Sequence, residues 1–170
     1  CSWEKHNKLS KLINIFTNKV EIRFVGGCIR DVLLNFELKD IDFAIDCKPE
    51  DTVRILSENK IEYQDYGLSH GTVTALIDGT KYEITSLRKD VKTDGRFAQV
   101  EYTNNWEDDV LRRDFSMNAI YVSVSGDIYD SVNGIQDIQN QQISFIGEVT
   151  KRIQEDYLRI LRFYRFLGWV

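Results

Sequence analysis

No unbroken run of eighteen apolar residues occurs in this sequence, so nothing in it reads as a membrane-spanning helix, and no signal-peptide pattern opens it. Cysteine is scarce. Cys1, Cys28 and Cys47 are odd in number and lack metal-ligand spacing, which excludes a disulfide framework and reads as free thiols in a cytoplasmic protein. Excess positive charge is missing as well: the formal net charge of −5 argues against a protein that coats nucleic acid by bulk attraction. Internal repeats and low-complexity tracts are absent. The chain opens on Cys1 rather than methionine, which reads as a trimmed start.

What is present is a globular composition. With 42% apolar and 12% aromatic residues, 170 residues are enough for one domain with a real core and part of a second. The charge is unevenly spread. Glu148–Val170 carries five basic against three acidic side chains, a net +2, which leaves −7 on the rest. An anionic ligand is therefore expected near that C-terminal segment or on metal ions.

The chain is organised around Val25–Ile45. A strand, Glu21–Val25, runs into Gly26-Gly27, then Arg30-Asp31 and the apolar Val32-Leu33-Leu34. Gly26 and Gly27 offer backbone N–H groups with no Cβ in the way, at a strand-to-helix turn where phosphates bind well. Next, Asp40–Ile45 alternates strictly: as a strand it directs Asp40, Asp42 and Ala44 to one face, and Ile41, Phe43 and Ile45 into a core. Two carboxylates about 7 Å apart along a strand suit a pair of divalent cations about 4 Å apart on a phosphate. Alone, a Gly-Gly turn is usually a turn and an Asp-x-Asp usually a solvated face; in this order and spacing they favour nucleotidyl transfer.

Around this stretch the spacing predicts a helix over Ser2–Asn18, capped by Ser2, with Leu9, Leu12, Ile13 and Phe16 inward. A second helix starts at Pro49-Glu50-Asp51 and ends by Asn59-Lys60. Ile61–Asp65 reads as a short strand, and Gly71–Ile77 with Lys81–Leu87 as a hairpin about Asp78-Gly79. On its second strand Glu83 reads from periodicity as a solvated edge charge; it is also able to supply a third carboxylate beside Asp40 and Asp42. Arg88–Phe97 reads as a long mobile loop. Gln99–Thr103 is a strand, and Asn105–Met117 a capped helix whose charges, Asp108 to Asp114, read as a surface lattice of weak ion pairs. A hairpin about Gly126-Asp127, a turn at Asn133-Gly134 and a strand at Ile143–Ile146 follow. Glu148–Leu167 reads as one helix with an apolar side in need of partners.

Four blocks, GGCIRD with DID (Gly26–Asp31, Asp40–Asp42), HGTVTALI…YEITSLR (His70–Arg88), EDDVLRRDFSMNA (Glu107–Ala119) and EDYLRILRFYRF (Glu155–Phe166), stand in one order. Through them the chain resembles the N-terminal catalytic head of bacterial-type (class II) tRNA nucleotidyltransferases, the CCA-adding enzymes, of the poly(A) polymerase/polymerase-β superfamily. The resemblance implies an α+β head with a mixed β-sheet flanked by helices over residues 1–146, and at 147–170 the first helix of an all-helical neck. It implies that CMP and AMP, from CTP and ATP, are added to the tRNA 3′ end by attack of the 3′-hydroxyl on the α-phosphate. Asp40 and Asp42 would bind two Mg²⁺ ions, with Glu83 completing the catalytic set. Gly26, Gly27 and Arg30 would hold the triphosphate, Arg113 the nucleotide, and Asp109 and Asp114 the ribose side. Asp156 and Arg159 would read the base, with Arg162 and Arg165 as further nucleotide contacts. The pairing logic is physical: one acceptor beside a fork of donors matches the edges of cytosine and adenine and mismatches uracil and guanine. An A-adding enzyme or a poly(A) polymerase is the nearest alternative, and an inactive nucleotide-binding module the alternative of another class.

Overall fold

The computed structural model describes residues 2–38, 40–94 and 97–168 of the chain. In chain order the elements are α1 (Ser2–Phe16), β1 (Ile22–Val25), α2 (Gly27–Leu33), β2 (Asp42–Ile45), α3 (Pro49–Glu58), β3 (Glu62–Gln64), β4 (Thr72–Ile77) and β5 (Thr80–Ser86). There follow β6 (Arg88–Asp94), β7 (Phe97–Tyr102), α4 (Trp106–Arg112), β8 (Tyr121–Ser123), β9 (Ile128–Tyr129), α5 (Gly134–Gln139), α6 (Val149–Glu155) and α7 (Leu158–Leu167). Seven strands form one mixed sheet in the order β3-β4-β5-β2-β1-β8-β9, and β6 with β7 forms a separate hairpin. Within the large sheet, β2 and β5 run parallel while the other described pairs are antiparallel. No helix among the described residues is long and apolar enough to cross a membrane.

The alternation along β2 sorts its side chains into two cores. Phe43 and Ile45 join Leu12, Phe16, Leu56 and Tyr82 beneath α1 and α3, and Ile41 packs against the same cluster. Ala44 points the other way, to Val25, Leu87, Val110 and Tyr121 under α4. A strand buried on both faces is held by side-chain burial worth about 1.5–3 kcal/mol for each large apolar residue. A third cluster, around Phe115, Met117, Ile138 and Phe166, packs α5 and α7 together with Ile29 and Leu34 at α2.

Several expectations are corrected. Asp40 precedes β2 and is exposed; the strand begins at Asp42. Within the loop expected over Arg88–Phe97, Arg88–Asp94 is instead strand β6, paired with β7 from Arg88↔Tyr102 to Asp94↔Phe97 with a register shift between Asp90 and Lys92, and residues 95–96 lie outside the described residues. The sequence Arg88–Asp94 is polar except for Val91, so no apolar alternation announced the strand. The helix capped by Asn105 ends at Arg112 rather than Met117. Beyond it Phe115 is fully buried and bridges to Phe145, while Ser116 N–H donates to Ser144 O at 3.0 Å, interactions a continuing helix would forbid. That bridge is all that Ile143–Ile146 contributes in strand form. Helix α5 begins at Gly134, after Asn133, where only a turn was expected. The single helix over Glu148–Leu167 is two: Asp156 is extended (φ −154°, ψ 104°), and its carboxylate accepts from Leu158 N–H at 2.9 Å, capping α7. A short acidic side chain competing for backbone N–H groups breaks one helix and starts the next. Helix α1 begins at Ser2, whose side chain, expected as its cap, is not among those described.

Gly134 is fixed by close approach. A Cβ there would overlap the Ser116 carbonyl and crowd Ile120 Cγ1. Ser116 in turn donates its hydroxyl to the buried Asp137 of α5. Gly134→Ala is expected to destabilise the protein by about 1–3 kcal/mol, read as a lower thermal midpoint; a melting curve superimposable on wild type would remove this account.

Candidate active site

The parallel pairing of β2 with β5 sets Asp42 directly opposite Glu83. Glu83 is thus no edge charge: β5 lies between β4 and β2. Burial first, then the charges of Glu83 and Asp40, raise the Asp42 carboxyl to about 6, against the opposing pull of Arg113 and Arg30. Asp40 contributes from just ahead of the strand. Among the described residues no three His, Cys, Asp or Glu side chains converge as a metal cage. Carboxylates crowded enough to raise the pKa of one of them are nevertheless what a divalent cation relieves. Magnesium keeps several waters and phosphate oxygens as ligands and needs only one or two carboxylates.

Beside Asp42 lies the glycine turn. Gly26 has φ 73° and ψ −127°, a conformation open to glycine, and its carbonyl accepts from Arg30 N–H at 3.1 Å as α2 begins. A Cβ on Gly27 would stand 3.5 Å from Arg30 Nη2 and 3.9 Å from Asp42 Oδ2. The missing side chain therefore leaves a cradle whose walls are a guanidinium and a carboxylate. Arg30 is aimed from behind: Asp31 Oδ1 accepts from its Nε and Nη2 at 2.9 and 2.7 Å, and Asn118 Oδ1 from its Nη1 at 2.8 Å.

The charge run in α4 is not a surface lattice. Asp109 is 1% exposed and lies beneath the cleft, lining none of it. It accepts from Arg112 Nε at 2.7 Å, Arg113 Nη2 at 2.9 Å, the Tyr121 hydroxyl at 2.6 Å and Arg88 N–H at 3.3 Å. Burial alone would raise its pKa; Arg113 and Arg112 overcome that and hold it at about 2. In exchange Arg113 is held upright against the cleft, its Nη1 donating to Asn118 O at 3.2 Å.

Arg162 of α7 spans two carboxylates, Asp114 and Asp156, each at 2.9 Å. Arg159 is buried and occupied at one end, donating to Arg152 O at 2.8 Å and Glu155 Oε2 at 2.6 Å. Arg165 and Arg30 lie over the Phe166 ring, 4.7 and 5.0 Å from its centroid. Two joined cavities result. One, of about 370 Å³, takes in Gly26, Gly27, Arg30, Asp42, Glu83, Arg113, Arg162 and Arg165. The other, of about 720 Å³, runs past Arg113, Arg159 and Arg162 to Ser69 and His70. Asp156 lines neither, being turned toward Arg162 and the α7 backbone. Among the side chains at this site that had drawn no role from the sequence are Arg88 and Arg112, which line both cavities, and Asn118, which ties Arg30 to Arg113. All three stand inside the motif blocks, and that was the available signal.

The sequence is similar to CCA tRNA nucleotidyltransferase 1, mitochondrial, of Danio rerio, at 41% identity over 154 residues, 90% of this chain and 36% of that protein. It is also similar to the CCA-adding enzyme of Bacillus pumilus (strain SAFR-032), at 43% identity over 147 residues, 85% of this chain and 36% of the relative. The fold matches the Bacillus stearothermophilus CCA-adding enzyme, crystallised in complex with CTP, with a TM-score of 0.83 and 34% identity, covering 95% of this chain and 38% of the other. The chain thus spans somewhat over a third of the length of these relatives. The α+β head expected from the four motif blocks is the fold observed, and with residues 22–144 matching the Poly A polymerase head domain, the chain belongs to that family.

Proposed function

We propose that this chain is the nucleotide-transferring head of a CCA-adding tRNA nucleotidyltransferase, which takes CTP and ATP and extends the tRNA 3′ end. The observation that carries the reading is the side-by-side pairing of Asp42 and Glu83 next to the Gly26-Gly27 cradle and Arg30. Asp42 and Glu83, with Asp40 at the rim, would hold Mg²⁺ ions, up to the pair expected of a two-metal site. Bound there, magnesium would neutralise phosphate charge and make the RNA 3′-hydroxyl more acidic. The backbone N–H groups at Gly26 and Gly27 and the Arg30 guanidinium receive the triphosphate oxygens, so that the 3′-hydroxyl oxygen bonds to the α-phosphorus as pyrophosphate leaves. Arg113, clamped by Asp109, presents fixed positive charge to the nucleotide without reorganising. Asp109 itself is a positioning residue in this reading.

Base choice falls to Asp156 and Arg159, with Arg162 and Arg165 alongside. Arg162 Nη2 donates to Asp156 Oδ2 at 2.9 Å and fixes that carboxylate in place, and its remaining lone pairs are what an exocyclic amino group would use. Substituting Asp156 or Arg159 by alanine is expected to relax selection, so that UTP or GTP is incorporated within about tenfold of CTP; continued exclusion of both would discard the templating role. The end of the family match at residue 144 supports a head over 1–146, followed at 147–170 by the start of a helical neck. The free thiols Cys28 and Cys47 favour the cytoplasm, with the mitochondrial relatives pointing to the other compartment.

The deciding experiment supplies the full-length protein with Mg²⁺, CTP, ATP and tRNA lacking its end, and sequences the products. Ends in CCA support the proposal. A single added A, or a long A tail, selects the A-adding or poly(A) alternative, and no extension leaves a binding module.

A further inference from the structure

Every described arginine of the cleft but one has a partner. Arg30 pairs with Asp31, Arg112 and Arg113 with Asp109, Arg159 with Glu155, and Arg162 with Asp114 and Asp156, and Arg165 is likewise engaged. Arg88, at the junction of the two cavities, is the exception. Its Nε and Nη1 are buried without a hydrogen-bond acceptor, and among the described residues its side chain has no ion pair. Burial first and the nearby Arg112 second push its proton affinity down, while Asp109, Asp90 and Tyr102 oppose them. A desolvated cation with unused donors is costly to keep unless a ligand completes it. Its fork of donors suits a phosphate oxyanion.

Sheet order says which phosphate. The cradle for the departing pyrophosphate stands at the end of β1, Asp42 on β2, Glu83 on β5 and Thr72 on β4, in the sequence β4-β5-β2-β1 across the sheet. In-line displacement requires the attacking oxygen and the leaving group on opposite sides of the reacting phosphorus. With the leaving group on the β1 side, the attacking hydroxyl enters from the β5–β4 side. That is where Arg88 stands, beyond the end of β5 and beside Ser69 and His70. We propose that Arg88 is the docking cation for the last phosphodiester of the acceptor RNA, fixing the terminal ribose so that its 3′-hydroxyl points at the site between Asp42 and Glu83. This rests on the proposed RNA nucleotidyl transfer.

The test is a charge-deletion cycle read by equilibrium binding, so that it does not depend on turnover. Affinity of the full-length protein is measured for a short RNA carrying the tRNA acceptor end, and for the same RNA with a neutral methylphosphonate at its last linkage. Wild type is expected to lose about tenfold on that replacement, whereas Arg88→Ala binds both RNAs equally and weakly; Arg88→Lys restores part of the difference. CTP affinity stays within twofold of wild type in Arg88→Ala, and thermal melting checks that both variants are folded. If Arg88→Ala still distinguishes the two RNAs, the assignment is wrong. If CTP affinity falls while the RNA difference persists, Arg88 belongs to the triphosphate instead. Absence of RNA binding by wild type would overturn the proposed function; RNA binding with an unchanged cycle overturns only the role of Arg88.

Discussion

Replacing Asp42 with alanine lowers tRNA extension by roughly a thousandfold or more, because no other described group stands where β2 sets its carboxylate opposite Glu83. Extension that survives the change would sink the metal assignment. The same position carries an opposite expectation for stability. Its carboxyl sits at about 6, pushed there by burial and by Glu83 and Asp40, so the folded state binds the proton more tightly than the unfolded chain does. That contribution to stability is full below about pH 4 and is lost as pH rises through 6, above which an ionised Asp42 is a cost. Asp42→Asn removes the cost. Discounted for solvent screening, the gain in metal-free protein at pH 8 is about 1–2 kcal/mol, or some 2–8 °C in melting temperature. The advantage should vanish near pH 4 and shrink when Mg²⁺ is added, since only wild type gains a ligand. An Asp42→Asn protein that melts below wild type at pH 8 without metal would contradict the crowding of carboxylates on which the site is built.

Asp109→Ala is expected to be the most damaging single change to the fold. It leaves Arg112 and Arg113 half-buried without their counter-charge and strips the Tyr121 hydroxyl of its acceptor. Breaking a buried pair of this kind costs about 3–5 kcal/mol, about 6–20 °C in melting temperature for a chain of this size. Asp109→Asn keeps the shape and some hydrogen bonds and should fall between. Burial works against the charge, Arg113 and Arg112 outweigh it, and the carboxyl lies at about 2. Its contribution is therefore complete above about pH 4 and is lost as pH drops toward 2. If Asp109→Ala and wild type melt within a degree at neutral pH, the buried network is not holding α4 to the sheet.

The contrast between these two aspartates marks where sequence reading stops. The alternation of Asp40–Ile45 was enough to divide Phe43 and Ile45 from Ala44 and to turn Asp42 toward a site. Asp109 sits in a run whose local pattern is indistinguishable from a solvated helix face; its burial follows from Tyr121 and Arg88, which arrive from other strands. The same holds for Glu83, an edge charge by periodicity until β2 pairs alongside it. The sequence of β6, Arg88–Asp94, is almost entirely polar and offers no apolar alternation to betray it, and the break at Asp156 depends on one carboxylate preferring a backbone N–H to a continuing helix. Motif blocks located the cleft because they record chemistry. They were silent about Arg88, whose meaning comes from a side chain with no ion pair among the described residues, a property only the folded chain possesses.

The parallel pairing of β2 with β5 carries a kinetic consequence. Strands that run the same way cannot be joined by a tight turn, so between them the chain must complete α3, β3 and β4 before returning. Asp42 and Glu83 therefore meet only after a long loop closure, among the slower and later contacts a chain makes. A nascent or partly unfolded molecule holds one carboxylate or the other but not the pair. Acquisition of divalent-metal affinity during refolding should accordingly lag the formation of helical signal, making the metal a reporter of finished molecules rather than a nucleus for folding.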